Sequence, residues 1–284
     1  SAPSSRRQER QQREADEMIL AANQGAYNRV LNLTVSTFND NTTSYYHKSI
    51  GGYHPAKLRR YQELIEEHIH QEMGRINRAI VDTRGELQEC NGDSLFPVLN
   101  MLNTAWVILG TKDGHKMAVP NPWAAGNAWY VPEVRYVQDA DAEIASLREI
   151  NPKHTAVADE CFQDILGSSS EQDSTSFVVL KEYEANRLAY EATSTKGGVV
   201  VFSDIYYPGW SCTIDGKETP IARVNYVLRA IQVPAGKHSI VMSFYPKSVQ
   251  VTETIAYIAL ALLVVLTLIY GLVSLRRSRR GQSA

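Results

Sequence analysis

The sequence is poor in cysteine and has no excess of basic charge. Its 284 residues include three cysteines, Cys90, Cys161 and Cys212, and none of them has the C-x-x-C or Cys/His spacing of a structural zinc site. The odd number leaves at least one free thiol, and a disulfide between two of the three is the less favoured alternative, because a chain of this size can bury a sufficient core without a cross-link. The formal net charge is −2, from 29 basic and 31 acidic residues. This balance excludes the basic surface typical of nucleic-acid-binding proteins, so we expect no nucleic-acid partner.

The short motifs of nucleotide and hydrolase chemistry are also missing. The sequence contains no G-x-S-x-G, P-loop or G-x-G-x-x-G pattern. His68 and His70 are two residues apart and lack the H-E-x-x-H spacing, so we interpret them as part of a solvated helix face. The sequence therefore predicts no metal site, and it identifies neither a cofactor nor a catalytic residue.

A long hydrophobic run lies near the C-terminus. Residues 255–275 read IAYIALALLVVLTLIYGLVSL, which is 21 residues without a charge. As a helix this run would be about 30 Å long, the thickness of the hydrocarbon layer of a bilayer. It predicts a transmembrane helix, with a buried core helix as the alternative. Four arginines in the following segment, 276–284, predict a cytoplasmic tail and place the rest of the chain outside the cytoplasm.

The composition changes along the remaining chain. Residues 1–25 predict an exposed helix that follows a membrane span of a longer protein. Residues 26–166 alternate between strand-like and helix-like segments, which predicts an α/β layer, and residues 167–175 (GSSSEQDST) predict a flexible linker. Residues 176–250 contain closely spaced β segments, which predicts an antiparallel β-sandwich. The predicted fold class is therefore α+β: an N-terminal α/β layer, an antiparallel β-sandwich and one C-terminal transmembrane helix.

A long polar and aromatic loop at 38–55 precedes a predicted helix at 56–74, which should end at Gly74. The loop carries imidazole, ammonium and phenol groups and a glycine pair. Aromatic rings stack on sugar faces, and a cation offsets phosphate charge, so this set suits a sugar or phosphate ligand. The candidate binding residues are Tyr45, Tyr46, His47, Lys48, Gly51, Gly52, Tyr53 and His54. The alternative is that the loop packs against its own domain or against a membrane part.

Two segments of the predicted sandwich add further candidates. Residues 203–210 (SDIYYPGW) contain aromatic side chains that bind glycans in some sandwiches, although the Pro208-Gly209 turn favours a structural role. In residues 225–230 (NYVLRA), Arg229 is expected to pair with Asp204 or with a ligand anion. The candidate substrate-binding residues of the two segments are Asp204, Tyr207, Trp210, Asn225 and Arg229.

Several motifs, taken in order, resemble the C-terminal part of the bacterial YfhO family. They are SYYHKSIGGYHPAKLRRYQELI (44–65), LNMLNTAWVI (99–108), GNAWYV (126–131), FSDIYYPGW (202–210), IDGK (214–217) and RVNYVLRAIQVPAGKH (223–238), followed by the hydrophobic run. The resemblance implies a polytopic bacterial membrane protein of the GT-C-like glycosyltransferase superfamily. It also strengthens the expectation that the 44–54 segment is functional.

The resemblance further implies the extracytoplasmic C-terminal region of a protein that transfers a sugar from a polyprenyl-phosphate donor to a cell-envelope acceptor. The catalytic acid, and any divalent metal, would belong to an upstream part, so the present region alone is expected to be inactive. The expected partners are the lipid bilayer, the lipid-linked sugar, an envelope glycan and an upstream transmembrane bundle, at the bacterial cytoplasmic membrane. The alternative is a non-enzymatic, membrane-anchored glycan-binding or envelope-assembly module.

The predicted topology can be tested by labelling single cysteines in a background without the native ones. On intact cells, a membrane-impermeant maleimide should label Ser168→Cys and spare Ser278→Cys, because only the first would lie outside the cytoplasm. Labelling of Ser278→Cys after lysis is the control. The reverse pattern on intact cells would contradict the orientation.

Overall fold

The computed structural model of the protein describes residues 15–22, 27–38, 43, 47–51, 59–111, 113–245, 257–267 and 269–270. Residues 15–22 form helix α1. The elements that follow, up to residue 166, are β1 (Arg29–Asn32), β2 (Lys48–Ser49), α2 (Arg59–Leu64), a π-helical segment (Ile65–Ile69), α3 (His70–Asp82), a 3₁₀ turn (Leu87–Glu89), α4 (Gly92–Leu95), α5 (Pro97–Met101), β3 (Thr104–Gly110), β4 (Lys116–Pro120), β5 (Ala128–Val131), β6 (Glu133–Val137), α6 (Ala140–Ser146), β7 (Thr155–Asp159), a second 3₁₀ turn (Glu160–Phe162) and α7 (Gln163–Leu166).

The later elements are mainly strands. They are β8 (Phe177–Glu184), β9 (Arg187–Ser194), β10 (Gly198–Ile205), β11 (Trp210–Ile214), β12 (Lys217–Thr219), β13 (Ala222–Val224), β14 (Leu228–Val233), β15 (Gly236–Phe244) and a helix α8 at 257–267. The strands form sheets in the orders β2-β1-β3-β4, β13-β14-β10-β5, β12-β11-β15-β9-β8 and β6-β7. The fold is therefore α+β with several antiparallel sheets and a sandwich-like arrangement, as the sequence predicted.

The sheet that contains β10 is buried on both faces. Val200 and Phe202 of β10 pack into the sandwich core against the sheet of β8, β9, β11, β12 and β15. Val199 and Val201 alternate with them and pack into the larger core that includes the helices. A strand covered on both sides needs a continuous apolar run rather than an alternating one, which explains the sequence GVVVF at its start.

The parts of the chain before and after the predicted linker at 167–175 do not form two separate cores. Strand β5, from the N-terminal side, pairs antiparallel with β10 through Val131 and Val199. Ser194 and Gln172 are joined by a hydrogen bond of 2.6 Å, so the segment also contacts β9. The division of the chain at this segment stays a prediction, and across it the two parts share a sheet and a core.

Several details of the N-terminal part differ from the sequence-based expectation. Helix α1 is not exposed throughout, because Ala15 and Ile19 are buried in a small cluster with Val30 of β1. Gly74 lies inside α3 and does not end it, since the helix continues to Asp82. An added Cβ at Gly74 would meet nothing within 4 Å, so this glycine is an exposed interior position rather than a cap.

The interpretation of His68 and His70 as a solvated helix face is correct for His70 and wrong for His68. His70 is exposed, but His68 is buried and its Nε2 lies 2.8 Å from the carbonyl oxygen of Ile144 in α6. Burial lowers the pKa of His68, which favours the neutral ring. The interpretation as a solvated face fails because α6 covers this side of the helix.

The predicted transmembrane helix at 255–275 lies partly outside the described residues. Residues 257–267 are helical, and their apolar side chains are exposed; Leu266, for example, is 65% exposed. Within the part of the chain that the structure describes, no helix has the length and apolarity needed to cross a membrane. The structure therefore does not support the transmembrane helix, which stays a prediction. Residues 1–14 and the basic tail at 276–284 lie outside the described residues.

The three cysteines are free thiols, with Cys212 buried, Cys90 half-buried and Cys161 exposed. Local turn chemistry also agrees with the sequence. Asp215 and Gly216 connect β11 and β12 with φ of 51° and 79°, a conformation that suits an Asp-Gly pair. Asp139 begins α6, because its side chain accepts a hydrogen bond from the amide of Ala142 at 2.8 Å.

The packing of β10 predicts a large stability difference between two phenylalanines. Phe202 is fully buried, and its ring lies 4.9 Å from the ring of Tyr190 in an edge-to-face contact. Phe202→Ala should lower the free energy of unfolding by about 3–5 kcal/mol through lost burial and a cavity. Phe177→Ala, at a side chain that is 46% exposed, should change it by about 0.5 kcal/mol or less. Urea unfolding of the full chain in detergent measures both, and equal losses would contradict the assignment of the core.

Candidate functional site

The structure brings four of the predicted site residues together. Lys48, Asp204, Trp210 and Arg229 meet where β2, β10, β11 and β14 approach one another. We call this group, with Arg29 of β1, the Asp204 cluster. Five other predicted loop residues, Tyr45, Tyr46, Gly52, Tyr53 and His54, lie outside the described residues, so their roles stay predictions.

Strand pairing sets the positions of the cations in the Asp204 cluster. Parallel β1 and β2 pair Arg29 with Lys48, which places the two basic side chains on neighbouring strands. Asp204 Oδ1 accepts a hydrogen bond from Lys48 Nζ at 2.8 Å and lies 3.5 Å from Arg29 Nη2. Sequence reasoning missed Arg29, and its signal was a charged residue at the start of a buried apolar strand.

Arg229 is held by neutral partners. Its Nε donates to the carbonyl oxygen of Ile205 at 2.9 Å, and its guanidinium lies 3.9 Å from the centre of the Trp210 ring. The expected ion pair between Arg229 and Asp204 is absent from the described ion pairs within 4.0 Å, and Arg29 and Lys48 take that place. The Trp210 ring therefore has a structural contact inside the cluster, as a cation–π partner.

Two tyrosines contact the Asp204 cluster directly, and a third stacks on one of them. The Tyr190 hydroxyl donates to Asp204 Oδ2 at 3.3 Å, and the Tyr183 ring centre lies 4.5 Å from Lys48 Nζ. Tyr27 stacks on Tyr183, with ring centres 4.2 Å apart. None of these tyrosines was predicted, because they come from segments far from the candidate motifs.

Burial and mutual repulsion shift the pKa values in this cluster. Burial and the nearby positive charge of Arg29 lower the pKa of Lys48 to about 8, although Asp204 opposes the shift. Burial would raise the pKa of Asp204, but the three surrounding cations outweigh it and hold the pKa below its usual value. Asp204 is therefore a carboxylate at neutral pH, and Lys48 is close to its titration point.

The other described loop residues have structural contacts. His47 Nε2 lies 2.8 Å from Asp16 Oδ1 of α1, and both side chains are buried. An added Cβ at Gly51 would lie 1.7 Å from the carbonyl oxygen of Thr37, so only glycine allows this approach of the two backbones. These contacts agree with the alternative that this part of the loop packs against its own domain.

A second centre lies beside α2, where a cavity of about 210 Å³ opens. We call it the tyrosine pocket. Its lining consists of aromatic, basic and apolar side chains: Arg59, Arg60, Tyr61, Ile205, Tyr206, Pro208, Arg223, Tyr226 and Val227. The pocket was not predicted as a unit, because its walls come from three distant segments of the chain.

Asn225 shapes the tyrosine pocket from behind. Its side-chain Oδ1 accepts a hydrogen bond from the backbone amide of Val157 at 2.8 Å, and its backbone N–H donates to the carbonyl oxygen of Val157 at 2.7 Å. Asn225 and Tyr226 have φ of 48° and 71°, a left-handed conformation that is costly for a bulky residue such as tyrosine. The turn is held in this form by β7, so Asn225 positions Tyr226 in the pocket wall.

Tyr207, another predicted site residue, does not belong to this pocket lining. Its side chain is 46% exposed, and its ring centre lies 6.0 Å from that of Phe244.

The carboxylates beside the tyrosine pocket are engaged. Glu143 has no exposed surface; Arg60 and Arg223 lie 3.3 Å and 3.5 Å from its Oε2. Its other oxygen accepts from the amide of Tyr226 at 2.9 Å, and burial raises the pKa of this carboxyl group. The Tyr226 hydroxyl donates to Glu63. Within the described ranges, no group of three or more His, Cys, Asp or Glu side chains is arranged to hold a metal ion.

The ion pairs of Asp204 predict a specific stability loss. Asp204→Asn removes the carboxylate and leaves buried cations without it, so the free energy of unfolding at pH 7 should fall by about 3–5 kcal/mol. Because the folded-state pKa of Asp204 lies below its unfolded value of about 3.9, the wild-type advantage is complete above that pH. The advantage is lost as the pH falls through the folded-state pKa. Denaturation curves between pH 3 and 7 measure this.

Asp215→Asn is the matched control, since Asp215 lies in the exposed β11–β12 turn and pairs with His238. It should leave the unfolding midpoint at pH 7 nearly unchanged. An Asp204→Asn protein as stable as this control would show that the cations do not depend on the carboxylate.

Comparison with known proteins gives one family match, which agrees with the resemblance to the YfhO family. Residues 162–256 match the family model described as bacterial membrane protein YfhO. Neither the curated proteins nor the solved structures gave a significant match. The matched range includes all strands from β8 to β15 and contains Asp204, Trp210 and Arg229 of the Asp204 cluster. The resemblance to the bacterial membrane protein family YfhO is thus confirmed over residues 162–256, a match consistent with the C-terminal part of a protein of that family.

Proposed function

We propose that this chain is the extracytoplasmic region of a membrane glycosyltransferase-like protein, and that its tyrosine pocket binds one sugar ring of the substrate. In the full protein, the sugar would pass from a polyprenyl-phosphate donor to a cell-envelope acceptor. The observation that supports this most is the combination of aromatic walls and basic side chains in a pocket of about 210 Å³.

The size and lining of the pocket suit a single sugar ring. Sites for drug-sized ligands have volumes of roughly 300–1,000 Å³, so 210 Å³ limits the occupant to about one ring. Tyr206 and Tyr226 both line the pocket, and Arg60 stacks on Tyr226 with 4.5 Å from its guanidinium carbon to the ring centre. Sugars present apolar C–H faces to aromatic rings and hydroxyls to donors such as guanidinium groups.

A membrane location is supported by two independent features. The family that matches residues 162–256 is a membrane protein family. The apolar side chains of α8 at 257–267 have no protein cover in the described part of the chain and are largely exposed. A lipid environment would bury this surface, which water does not favour.

The described residues suit binding more than proton transfer. Each carboxylate at the two centres already interacts with a cation or hydrogen-bond donor: Asp204 with Lys48, Glu143 with Arg60, and Glu63 with Arg59. A general base must be free to accept a proton from the acceptor hydroxyl. In this proposal the catalytic acid or base therefore comes from a membrane-embedded part of the full protein, and the present region positions the substrate.

The same observation favours a second candidate function. If no transfer takes place, the engaged carboxylates and the ring-sized pocket describe a membrane-anchored glycan-binding or envelope-assembly module. The two functions share the pocket and differ in whether a glycosidic bond is formed.

Replacing Tyr206 tests the proposal. Tyr206→Ala removes one aromatic wall and should reduce transfer of radiolabelled hexose from a polyprenyl-phosphate donor by about tenfold, since stacking of this kind contributes around 1–1.5 kcal/mol. The assay uses the full-length protein in liposomes with envelope polysaccharide as acceptor. Phe177→Ala is the control, because its ring is exposed on the outer sheet and remote in sequence from the pocket lining.

Transfer that is lowered in Tyr206→Ala and kept in Phe177→Ala supports the enzyme. Binding of glycan without transfer, weakened by the same substitution, assigns the second function. Transfer and glycan binding that do not respond to Tyr206→Ala would exclude the tyrosine pocket from both.

A further inference from the structure

The Asp204 cluster holds more positive than negative charge. Three cationic side chains, those of Arg29, Lys48 and Arg229, surround the single carboxylate of Asp204 in the described residues. Each of these three cations acts electrostatically on the carboxylate, and Arg29 and Arg229 both act on Lys48. The described cluster therefore has a net charge of +2 when Lys48 is protonated.

This charge lies almost entirely out of water. Arg29, Asp204 and Arg229 are 6%, 7% and 4% exposed. Cations that are removed from water without an equal number of anions are unfavourable, because both desolvation and mutual repulsion oppose them. The cluster thus has a physical need for about two further negative charges.

In the part of the chain that the structure describes, the two arginines are oriented mainly by neutral groups, and Asp204 is the one carboxylate near them. Arg29 Nη1 donates to the carbonyl oxygens of Leu102 and Ser203, both at 2.7 Å. Arg229 is oriented by the carbonyl of Ile205 and by the Trp210 ring. Neutral partners hold a guanidinium in place and leave its charge available, which is the arrangement expected of a preorganised anion site.

Among the described residues, Lys48 is the most exposed of the three cations. The Lys48 side chain is 21% exposed, and its ammonium group faces the Tyr183 ring. Tyr27, which stacks on that ring, is 38% exposed. An anion entering beside these tyrosines would meet Lys48 first and the arginines behind it.

We propose that the Asp204 cluster is a binding site for a phosphate dianion, carried by a phosphate monoester or by inorganic phosphate. A phosphate monoester has a charge near −2 at neutral pH and thus balances the excess of the cluster, whereas a single carboxylate would not. Its oxygens accept hydrogen bonds from both guanidinium and ammonium donors. This site is separate from the tyrosine pocket in its residues, so it holds or fails independently of sugar transfer.

The test measures phosphate binding to the full-length protein in detergent by titration calorimetry, with inorganic phosphate as the probe at constant ionic strength. Lys48→Met should weaken binding about tenfold or more, since it removes one of the three charges and the exposed donor. Lys217→Met, which removes an exposed lysine from β12, is the control and should bind as the wild type does. Circular dichroism checks that both variants are folded.

A pH series on the wild-type protein gives a second test that needs no substitution. Burial lowers the pKa of Lys48 to about 8, so raising the pH from 7 to 9 should remove its charge and weaken binding of the phosphate dianion about tenfold, once the observed affinity is corrected for the rising dianion fraction of the probe. Among the described residues, the charged and titratable groups around Lys48 are Arg29, Asp204, Arg229 and Tyr183, and Tyr190 contacts its partner Asp204. The pKa of Tyr183 is raised to about 12 by burial, and burial also raises that of Tyr190, so neither loses its proton in this range.

The source of the phosphate is distinguished by the ligand used. A hexose 1-phosphate that binds more tightly than inorganic phosphate assigns a sugar-linked group. Stronger binding to nanodiscs with phosphatidic acid than to nanodiscs with phosphatidylcholine alone, lost in Lys48→Met, assigns a lipid-linked group. Either result, or binding of inorganic phosphate alone, supports the site.

Two results would overturn the proposal. The first is phosphate binding that is absent, or equal in the wild type and in a folded Lys48→Met protein. The second involves Asp40, which precedes Lys48 by eight residues in the sequence and lies outside the described residues. If Asp40→Asn binds phosphate and the wild type does not, the protein neutralises the cluster with its own carboxylate.

Discussion

The burial of β10 on both faces is the constraint on which the rest of the structure depends. Its valines and Phe202 supply side chains to two cores at once, and its edges pair with β14 and with β5. A strand in this position joins the N-terminal and C-terminal parts into one packed body. Near the C-terminal end of β10, the register with β14 shifts between Phe202 and Ile205, so the regular pairing of the two strands is interrupted there. Asp204 lies in that irregular stretch, where the regular ladder is interrupted and a polar side chain can face the cations.

The Asp204 cluster at this end of β10 stabilises the fold through its ion pairs, and it also contains more cations than anions among the described residues. Asp204 links strands that are distant in the sequence through Lys48 and Arg29, and removing it would leave buried cations. The same cations exceed what one carboxylate can neutralise. Proteins commonly accept a local cost of this kind where a ligand completes the site. The tyrosine pocket shows a comparable feature in the left-handed Asn225-Tyr226 turn, which is held by the backbone of Val157.

Local patterns predicted elements well where one physical rule acts alone. The strands from 177 to 244 were found because β-branched and aromatic runs alternate with turn signals such as Asp215-Gly216. Gly74 was taken as a helix end because glycine lowers helix propensity, yet tertiary packing of α3 outweighs that preference. His68 was assigned to solvent because a helix periodicity does not reveal that another helix covers the face.

The sequence by itself determined the α+β class, the run of antiparallel strands and the resemblance to a membrane protein family, because each depends on composition or on neighbouring residues. It also singled out Lys48, Asp204, Trp210 and Arg229. Only the tertiary structure decided that these four residues meet, that Arg29 joins them, and that Asn225 belongs to a different centre. The reason is that these contacts connect positions far apart in the sequence, such as Arg29 and Asp204, and their geometry follows from strand register, which no local pattern encodes.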